Sequence, residues 1–208
     1  MGSTGRVGRP PACDSAGTRS RILQAARIRF ARDGYRSTTN RLIAEDVGIT
    51  TSALYHYFES KDQLYAAVYC DVIDRVYTSF EEAAAAERHL LDQFSAVLRR
   101  ARDLQTADAS ITGFIVAVAL ETQRHPDLAE LLAPQRGRHS RFFSELVERS
   151  AERGELQSDV DRAGLADLLG SVLTGLARTA ATAGDPQRYT AAVAVLERFF
   201  DGSLVTTR

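Results

Sequence analysis

The stretch that decides the fold is Thr38–Lys61, TTNRLIAEDVGITTSALYHYFESK. Its pattern predicts two short helices joined by a tight turn. Thr38 and Thr50 are the expected N-caps, because a threonine hydroxyl accepts a hydrogen bond from a free amide in the first turn. Gly48 stands where the first helix should end, since glycine adopts the left-handed conformation of a helix C-terminus at little cost. So short a turn forces a steep crossing, which indicates a helix-turn-helix.

The second helix of this stretch carries side chains suited to DNA. Its first turn, Thr51-Ser52-Ala53, is small enough to enter the major groove, where hydroxyls bond to bases and alanine contacts a thymine methyl. The rings of Tyr55-His56-Tyr57 offer polar atoms to phosphates and sugars. Lys61 follows at the next helix N-terminus, where free amides and the helix dipole favour an anion. The residues expected to contact DNA are Thr39, Asn40, Arg41, Thr50, Thr51, Ser52, Ala53, Tyr55, His56, Tyr57 and Lys61.

A recognisable signature runs through the same region. It consists of Gly34-Tyr35, Thr38, Ile43-Ala44, Val47-Gly48-Ile49-Thr50, Leu54-Tyr55-His56-Tyr57-Phe58 and Ser60-Lys61. These residues resemble the N-terminal DNA-binding signature of the TetR family of bacterial transcriptional regulators. The resemblance covers roughly residues 20–65. It implies a repressor that binds a palindromic DNA operator as a homodimer and is released by a small molecule.

Charge is segregated along the chain. The 208 residues have a formal net charge of −1, yet residues 1–65 hold ten basic and six acidic residues, and residues 66–208 hold 16 basic and 21 acidic. A basic first part on an acidic remainder is the asymmetry expected of a protein that binds double-stranded DNA at one end.

Helical periodicity continues from Ser60 to the C-terminus, with no credible strand. Before the helix-turn-helix, a helix over Thr18–Asp33, ended by Gly34, completes a three-helix head. Pro126 is expected to stop a buried helix that begins at Ala109. The other body helices are expected to begin near Lys61, Leu90, Pro134, Asp161 and Pro186, with Gly184 and Asp185 between the last two. The sequence therefore predicts an all-α fold, with a head of three helices and a larger body of six.

Three regions follow from this pattern. Residues 1–18 are expected to form a flexible basic arm, in which Arg6 and Gly8-Arg9-Pro10 either follow a minor groove or remain a solvated tail. Residues 19–62 form the predicted DNA-binding domain, and residues 63–208 the predicted ligand-binding and dimerisation domain.

The last two predicted helices are more apolar than one packing partner requires. Gly170 and Gly175 remove side chains where backbones could approach closely, so the pair is suited to a four-helix bundle with its symmetry mate. The alternative is two ordinary core helices. The residues expected at the dimer interface are Leu169, Val172, Leu173, Leu176, Val193, Leu196 and Phe200.

A ligand site is expected among the aromatic side chains of the central helices. Glu121 follows an apolar run, and a buried carboxylate there would be costly unless it were paired or matched to a cationic ligand. The alternative is a pairing with Arg124 or a position at the rim. The expected ligand-contacting residues are Tyr77, Phe94, Phe114, Glu121 and Phe143.

Other classes of protein are less compatible with the sequence. It contains no phosphate loop, nucleophile elbow or metal-ligand spacing, so we expect no enzyme, no metal and no cofactor. It also lacks a run of 18 apolar residues, and Cys13 and Cys70 are too few for a disulfide framework, so we expect a cytoplasmic protein without a membrane partner. The alternatives are a DNA-binding protein without a small-molecule inducer and, more remotely, a helical enzyme.

Overall fold

The computed structural model describes residues 15–183 and 186–204, which form ten α-helices and no strand. The helices are α1 Ser15–Ser37, α2 Asn40–Val47, α3 Thr51–Tyr57, α4 Lys61–Ala85, α5 Leu90–Ala107, α6 Ala109–Arg124, α7 Pro126–Leu131, α8 Ala133–Glu152, α9 Arg162–Ala183 and α10 Pro186–Phe200. The predicted all-α fold is confirmed. Most of the expected N-terminal arm, with Arg6 and Gly8-Arg9-Pro10, lies outside the described residues, as do Cys13 and the helix signals at Gly184 and Asp185.

The first three helices share apolar side chains at helical spacing. Ile22 and Ala26 of α1, Ile43 of α2 and Leu54 of α3 are all fully buried. Each belongs to one contiguous core that continues into the body. The pattern of apolar residues in the sequence thus places the head helices correctly.

The caps of the helix-turn-helix differ from the prediction at one position. Thr39 caps α2 by accepting a hydrogen bond from the amide of Leu42, whereas Thr38 is fully buried and donates its hydroxyl to the carbonyl of Gly34 at 2.8 Å. Thr38 therefore joins α1 to α2 instead of capping. Thr50 caps α3 as predicted, and Gly48 is left-handed with φ 74°.

Gly34 breaks α1 with φ 78° and ψ 171°, a conformation that only glycine adopts readily. The predicted end of the first helix is confirmed there, and one further turn leads to Ser37. A methyl group at this position would lie 3.3 Å from Oε1 of Glu121 in α6. The break therefore also lets the head approach the body closely.

α6 packs against α1 on one side and α9 on another. Its buried residues are Ile111, Phe114 and Val118 and its Leu120 is 51% exposed, so α6 is less buried than the sequence predicts. α4 runs for 25 residues from the helix-turn-helix into the body, where it packs on α5 and α8. Pro126 ends α6 as expected, but it also occupies the first turn of a short helix, α7, that the sequence did not predict. The fixed φ of proline suits a helix start as well as it prevents continuation.

No single helix among the described residues is long and apolar enough to cross a membrane. In the part of the chain that the structure describes, one pair of helices, α5 and α6, reaches that length and hydropathy together, and the two meet at a bend of 105°.

Candidate DNA-contacting surface and ligand cavity

The second helix of the helix-turn-helix, α3, presents its polar residues outward. Leu54 is fully buried and anchors the helix, while Ser52 and His56 are exposed and Tyr55 is 49% exposed. Thr51, Ala53 and Tyr57 are partly exposed. Because the anchor and the polar residues lie on opposite faces, α3 is held firmly while its first turn remains free to meet a groove.

The preceding helix α2 contributes unequally to this surface. Thr39 is exposed, and the side chain of Arg41 is 75% exposed and lies 3.7 Å from Glu45. Asn40 is only 7% exposed, and its Oδ1 has no hydrogen-bond partner among the described residues. Asn40 therefore faces the interior of the head, not the exposed surface where the sequence placed it.

Lys61 has a structural partner that its sequence position did not reveal. Its ammonium donates to the backbone carbonyls of Tyr35 at 2.9 Å and Thr38 at 3.2 Å, and it lies 4.2 Å from the centre of the Tyr35 ring. Partial burial lowers the pKa of Lys61. An ammonium has three N–H donors, and these two hydrogen bonds use two of them.

Glu121 lies at the junction of head and body. Its Oε1 accepts from the backbone amide of Tyr35 at 3.3 Å, and its Oε2 lies 3.4 Å from Nε2 of His125. It is therefore paired with His125, and neither lines the apolar cavity nor pairs with Arg124 as the sequence suggested. Tyr35 continues this junction, because its hydroxyl donates to Asp62 at the start of α4.

A second junction holds the other end of α6 to the head. Arg27 of α1 is 3% exposed, donates to the carboxylate of Asp108 and donates through Nε to the hydroxyl of Ser110 at 3.0 Å. Asp108 is also the N-cap of α6. Desolvation lowers the pKa of Arg27, and the nearby carboxylate of Asp108 opposes that shift. α6 is therefore attached to α1 at both of its ends.

An apolar cavity of about 430 Å³ lies between the helices of the body and is partly open to solvent. Its wall comes from α4, α5, α6, α8, α9 and α10, and it is of a size that small-molecule sites commonly have. Of the five residues predicted to contact a ligand, Tyr77 alone is among those lining it. Phe94 and Phe114 are fully buried in the core, and Phe143 borders a separate groove between α8 and α9. These rings fill the body instead of lining its cavity.

The sequence did not single out the polar residues of this cavity. They include Gln105, Thr112, Gln123, His139 and Arg178. The sequence does contain one signal for this lining: the four-residue spacing of Thr174, Arg178 and Thr182 places three polar side chains on one side of α9.

His139 forms part of the wall between the cavity and the groove. Its Nδ1 lies 2.6 Å from the hydroxyl of Tyr77, and burial lowers the pKa of His139 while it raises that of Tyr77. Both shifts favour the neutral form of their group, and the tautomer of His139 decides which of the two donates. Gly170 has no space for a side chain, since a methyl there would lie 2.6 Å from Nε2 of His139. The close approach that Gly170 permits is thus between α9 and α8 of one chain.

The outer faces of α9 and α10 differ from those predicted. Leu169, Leu173 and Val193 are buried in the protomer core. The remaining predicted residues, Val172, Leu176, Leu196 and Phe200, are partly buried and pack against that core. Three large apolar residues in the described parts of α9 and α10 are instead exposed, Leu168 at 57%, Val195 at 50% and Phe199 at 64%.

Part of these outer faces is apolar or made of small residues, beside the exposed Asp167 and Arg178 of α9. On α9, Leu168, Ser171 and Gly175 follow one another at three- and four-residue spacing, and a methyl on Gly175 would meet nothing within 4 Å. On α10, Val195 and Phe199 lie four residues apart. We call Leu168, Ser171, Gly175, Val195 and Phe199 the bundle face.

Titratable side chains do not cluster as a metal site would require. Among the described residues, no group of three or more histidine, cysteine, aspartate or glutamate side chains could hold a metal ion.

Comparisons with known proteins cover most of the chain. A model of bacterial regulatory proteins of the tetR family matches residues 22–68, and one of the C-terminal domain of BetI-type transcriptional repressors matches residues 90–205. The chain is 26% identical over 152 residues to the HTH-type transcriptional regulator UidR of Escherichia coli (strain K12), covering 73% of this chain and 76% of UidR. It is 26% identical over 187 residues to the HTH-type transcriptional repressor Rv1474c of Mycobacterium tuberculosis, covering 88% of this chain and 92% of the repressor.

The structural comparison agrees with these matches. Salmonella enterica GusR is similar with a TM-score of 0.72 and 25% sequence identity, covering 92% of this chain and 97% of GusR. The first family model falls on α1–α4, which contain the helix-turn-helix, and the second alone spans more than half of the chain. The chain therefore belongs to the tetR family of bacterial regulatory proteins, and it is a DNA-binding transcriptional regulator.

Proposed function

We propose that this chain represses transcription in the cytoplasm by binding a palindromic operator as a homodimer, and that a small molecule in the apolar cavity releases it. The observation that carries this proposal is the position of α6. One side of α6 lines the cavity, while the other packs against α1 of the DNA-binding head. The cavity also favours a ligand-responsive regulator over a DNA-binding protein without an inducer, because a filled body would have no place for a ligand.

Two functional regions follow from the same arrangement. We assign DNA binding to residues 19–62, and ligand binding and dimerisation to residues 63–208. The two clamps on α6, Arg27 with Asp108 and Glu121 with the Tyr35 amide, cross the boundary between these regions. A change in the body can therefore reach the head without a flexible linker.

At the DNA, the exposed residues divide by role. We assign base contacts to Thr51, Ser52 and Arg41, whose side chains can donate to or accept from base edges in the major groove. Lys61 and the rings of Tyr55-His56-Tyr57 are assigned to phosphates, which position the helix without reading sequence. Ala53 supplies an apolar contact. The hydroxyls of Thr39 and Thr50 accept hydrogen bonds in the first turns of α2 and α3. We therefore assign to these two residues a role in fixing where the helices begin at the DNA.

The homodimer is assigned to the bundle face. Charged residues are depleted at the centre of protein interfaces, and exposed apolar area of this kind on adjacent helices is typical of them. The small side chains of Ser171 and Gly175 allow the partner helix to approach closely. A two-fold axis through this face would present two copies of α3 to one side of the duplex.

The ligand is proposed to act through both α4 and α6. Ile73, Val76 and Tyr77 of α4 line the cavity, and the same helix begins at Lys61 beside α3. Any outward displacement of α4 or α6 moves the head, and the two heads then no longer match the spacing of successive grooves. The ligand must bind the displaced state more tightly for this to occur.

Phe199→Glu tests the assembly. A charge at this exposed position should not disturb the protomer fold but should disfavour the dimer, since burying an unpaired carboxylate is costly. We expect sedimentation to show a shift from dimer to monomer at micromolar concentration, with operator binding lost in parallel.

Leu91→Glu is the matched control, because Leu91 of α5 is 45% exposed and lies outside the bundle face. It should remain dimeric. A wild-type chain that sediments as a monomer, or a Phe199→Glu variant that stays dimeric, would contradict the assignment.

A further inference from the structure

The lining of the cavity distinguishes ligands by charge. Among the described residues it contains no aspartate or glutamate, whereas Arg178 is one of its lining residues. We infer that the cavity takes an apolar ligand bearing one carboxylate, with that carboxylate directed at Arg178. This inference rests on the proposed effector role of the cavity.

Arg178 is placed for such a contact. It borders both the cavity and the groove outside it, and it is exposed, with no carboxylate partner among the described residues. Thr174, one turn earlier on α9, also lines the cavity, and its hydroxyl has no hydrogen-bond partner among the described residues. A guanidinium offers paired donors that match a carboxylate. Asp167 borders the groove but does not line the cavity.

The same lining is unfavourable for a cationic ligand. It would leave water for a wall of mainly aliphatic and aromatic side chains, without an anion to compensate for the lost hydration. It would also approach the like charge of Arg178. The carboxylate of Glu121, which could have matched a cation, is engaged at the head instead.

Gln105 adds a second requirement. Gln105 is one of the residues that line the cavity, and its Oε1 is buried without a hydrogen-bond partner among the described residues. A buried acceptor without a donor is unfavourable, so a hydroxyl or N–H group on the ligand body would be bound preferentially. The preferred ligand is therefore an apolar carboxylate that also carries one hydrogen-bond donor.

The test is calorimetric titration of the full chain, without DNA, with three probes that differ only in the terminal group. These are phenylbutanoate, phenylbutanol and phenylbutylammonium. We expect phenylbutanoate to bind about three- to tenfold more tightly than the alcohol, a range set by an ion pair that is partly open to solvent. The ammonium compound should bind most weakly.

Two variants and one control substitution locate the effect. Arg178→Gln should remove the preference for the carboxylate and leave the affinity for the alcohol unchanged, whereas Arg100→Gln, at an exposed position of α5, should preserve the preference. Gln105→Leu should bind plain phenylbutanoate more tightly than the wild type does, since the unpaired oxygen is gone.

The outcomes that contradict the ligand class can be told apart from those that contradict the proposed repressor function. Tightest binding of the alcohol or ammonium compound, failure of all three probes to bind, or a preference that survives in Arg178→Gln would overturn the inference. Because no operator is present, these results do not depend on DNA binding. A chain that binds a palindromic operator but prefers the ammonium compound would refute the ligand class and leave the proposed repressor intact.

Discussion

At the scale of single residues, Glu121 shows how one side chain joins the DNA-binding head to the body. Gly113, Ala117 and Glu121 follow one another at four-residue spacing on α6 and therefore lie on the same side of the helix. A methyl on Gly113 would lie 3.6 Å from the side chain of Ala31, so this side faces α1. Glu121 consequently reaches Gly34 and Tyr35, where the chain turns between α1 and α2.

Gly34→Ala should destabilise the protein by about 1–3 kcal/mol, because alanine does not readily adopt φ 78° with ψ 171° and its methyl would press on Glu121. Chemical denaturation followed by circular dichroism measures this change. Gly137→Ala, at a helical glycine of α8 with no neighbour closer than 3.9 Å, is the matched control and should leave the protein as stable or stabilise it slightly. Equal effects of the two substitutions would show that the Gly34 conformation is not required.

At the scale of helices, the first turn of α3 is expected to contact bases of the operator, and the first turn of α4 is expected to contact its phosphates. Thr51→Ala should cost about 1–3 kcal/mol at one position of the site and little at others, because it removes one base contact. Lys61→Ala should weaken binding to all sequences alike and reduce the salt slope by about one unit, because it removes one phosphate contact.

Lys61→Ala should also lower stability, since the ammonium donates to two carbonyls of the head. Binding titrations over a salt series, with the cognate site and single-base variants, separate the two roles. A uniform loss from Thr51→Ala, with a position-specific loss from Lys61→Ala, would reverse the assignment.

The local elements could be predicted because their signals are local. Caps and breaks such as Thr50, Gly48 and Gly34 depend on the conformation of one or two residues, and the structure agrees with all three. The side of a helix that faces the core depends on tertiary packing instead. In α9 nearly every position is apolar or small, so Leu168 and Leu169 could not be told apart from the sequence. Packing against α6, α8 and α10 buries Leu169 and leaves Leu168 exposed.

The candidate cavity could not be predicted from the sequence, because it too depends on tertiary packing. Aromatic residues indicate burial, but they do not show whether a ring fills the core or borders a space. Phe94 and Phe114 fill it, while smaller residues such as Ala101 and Thr112 leave the cavity open. Similarly, the junction of Arg27 with Asp108 joins residues 81 positions apart, and no spacing rule relates them.

At the scale of the whole molecule, ligand and operator should oppose each other equally. If phenylbutanoate lowers operator affinity tenfold, the coupling is about 1.4 kcal/mol, and saturating operator must weaken phenylbutanoate binding tenfold as well. Calorimetry with and without operator measures this. Equal affinities in the two titrations would mean that the compound binds without regulating.

Arg27→Met removes the hydrogen bonds that join Arg27 of α1 to α6. It should weaken the coupling between ligand and operator, while the affinity of the free protein for the ligand stays the same. Coupling as strong as that of the wild type would show that α6 is not part of the route.

The most direct test of a dimeric repressor built on the bundle face is the selection of bound duplexes from a random DNA pool. The expected site is an imperfect palindrome. Its two half-sites should lie about one helical turn (~34–36 Å), or a small multiple of it, apart on one face of the duplex, because a two-fold dimer presents two α3 helices to successive major grooves. Selection of a single half-site without a dyad, by a chain that binds it as a monomer, would contradict this arrangement.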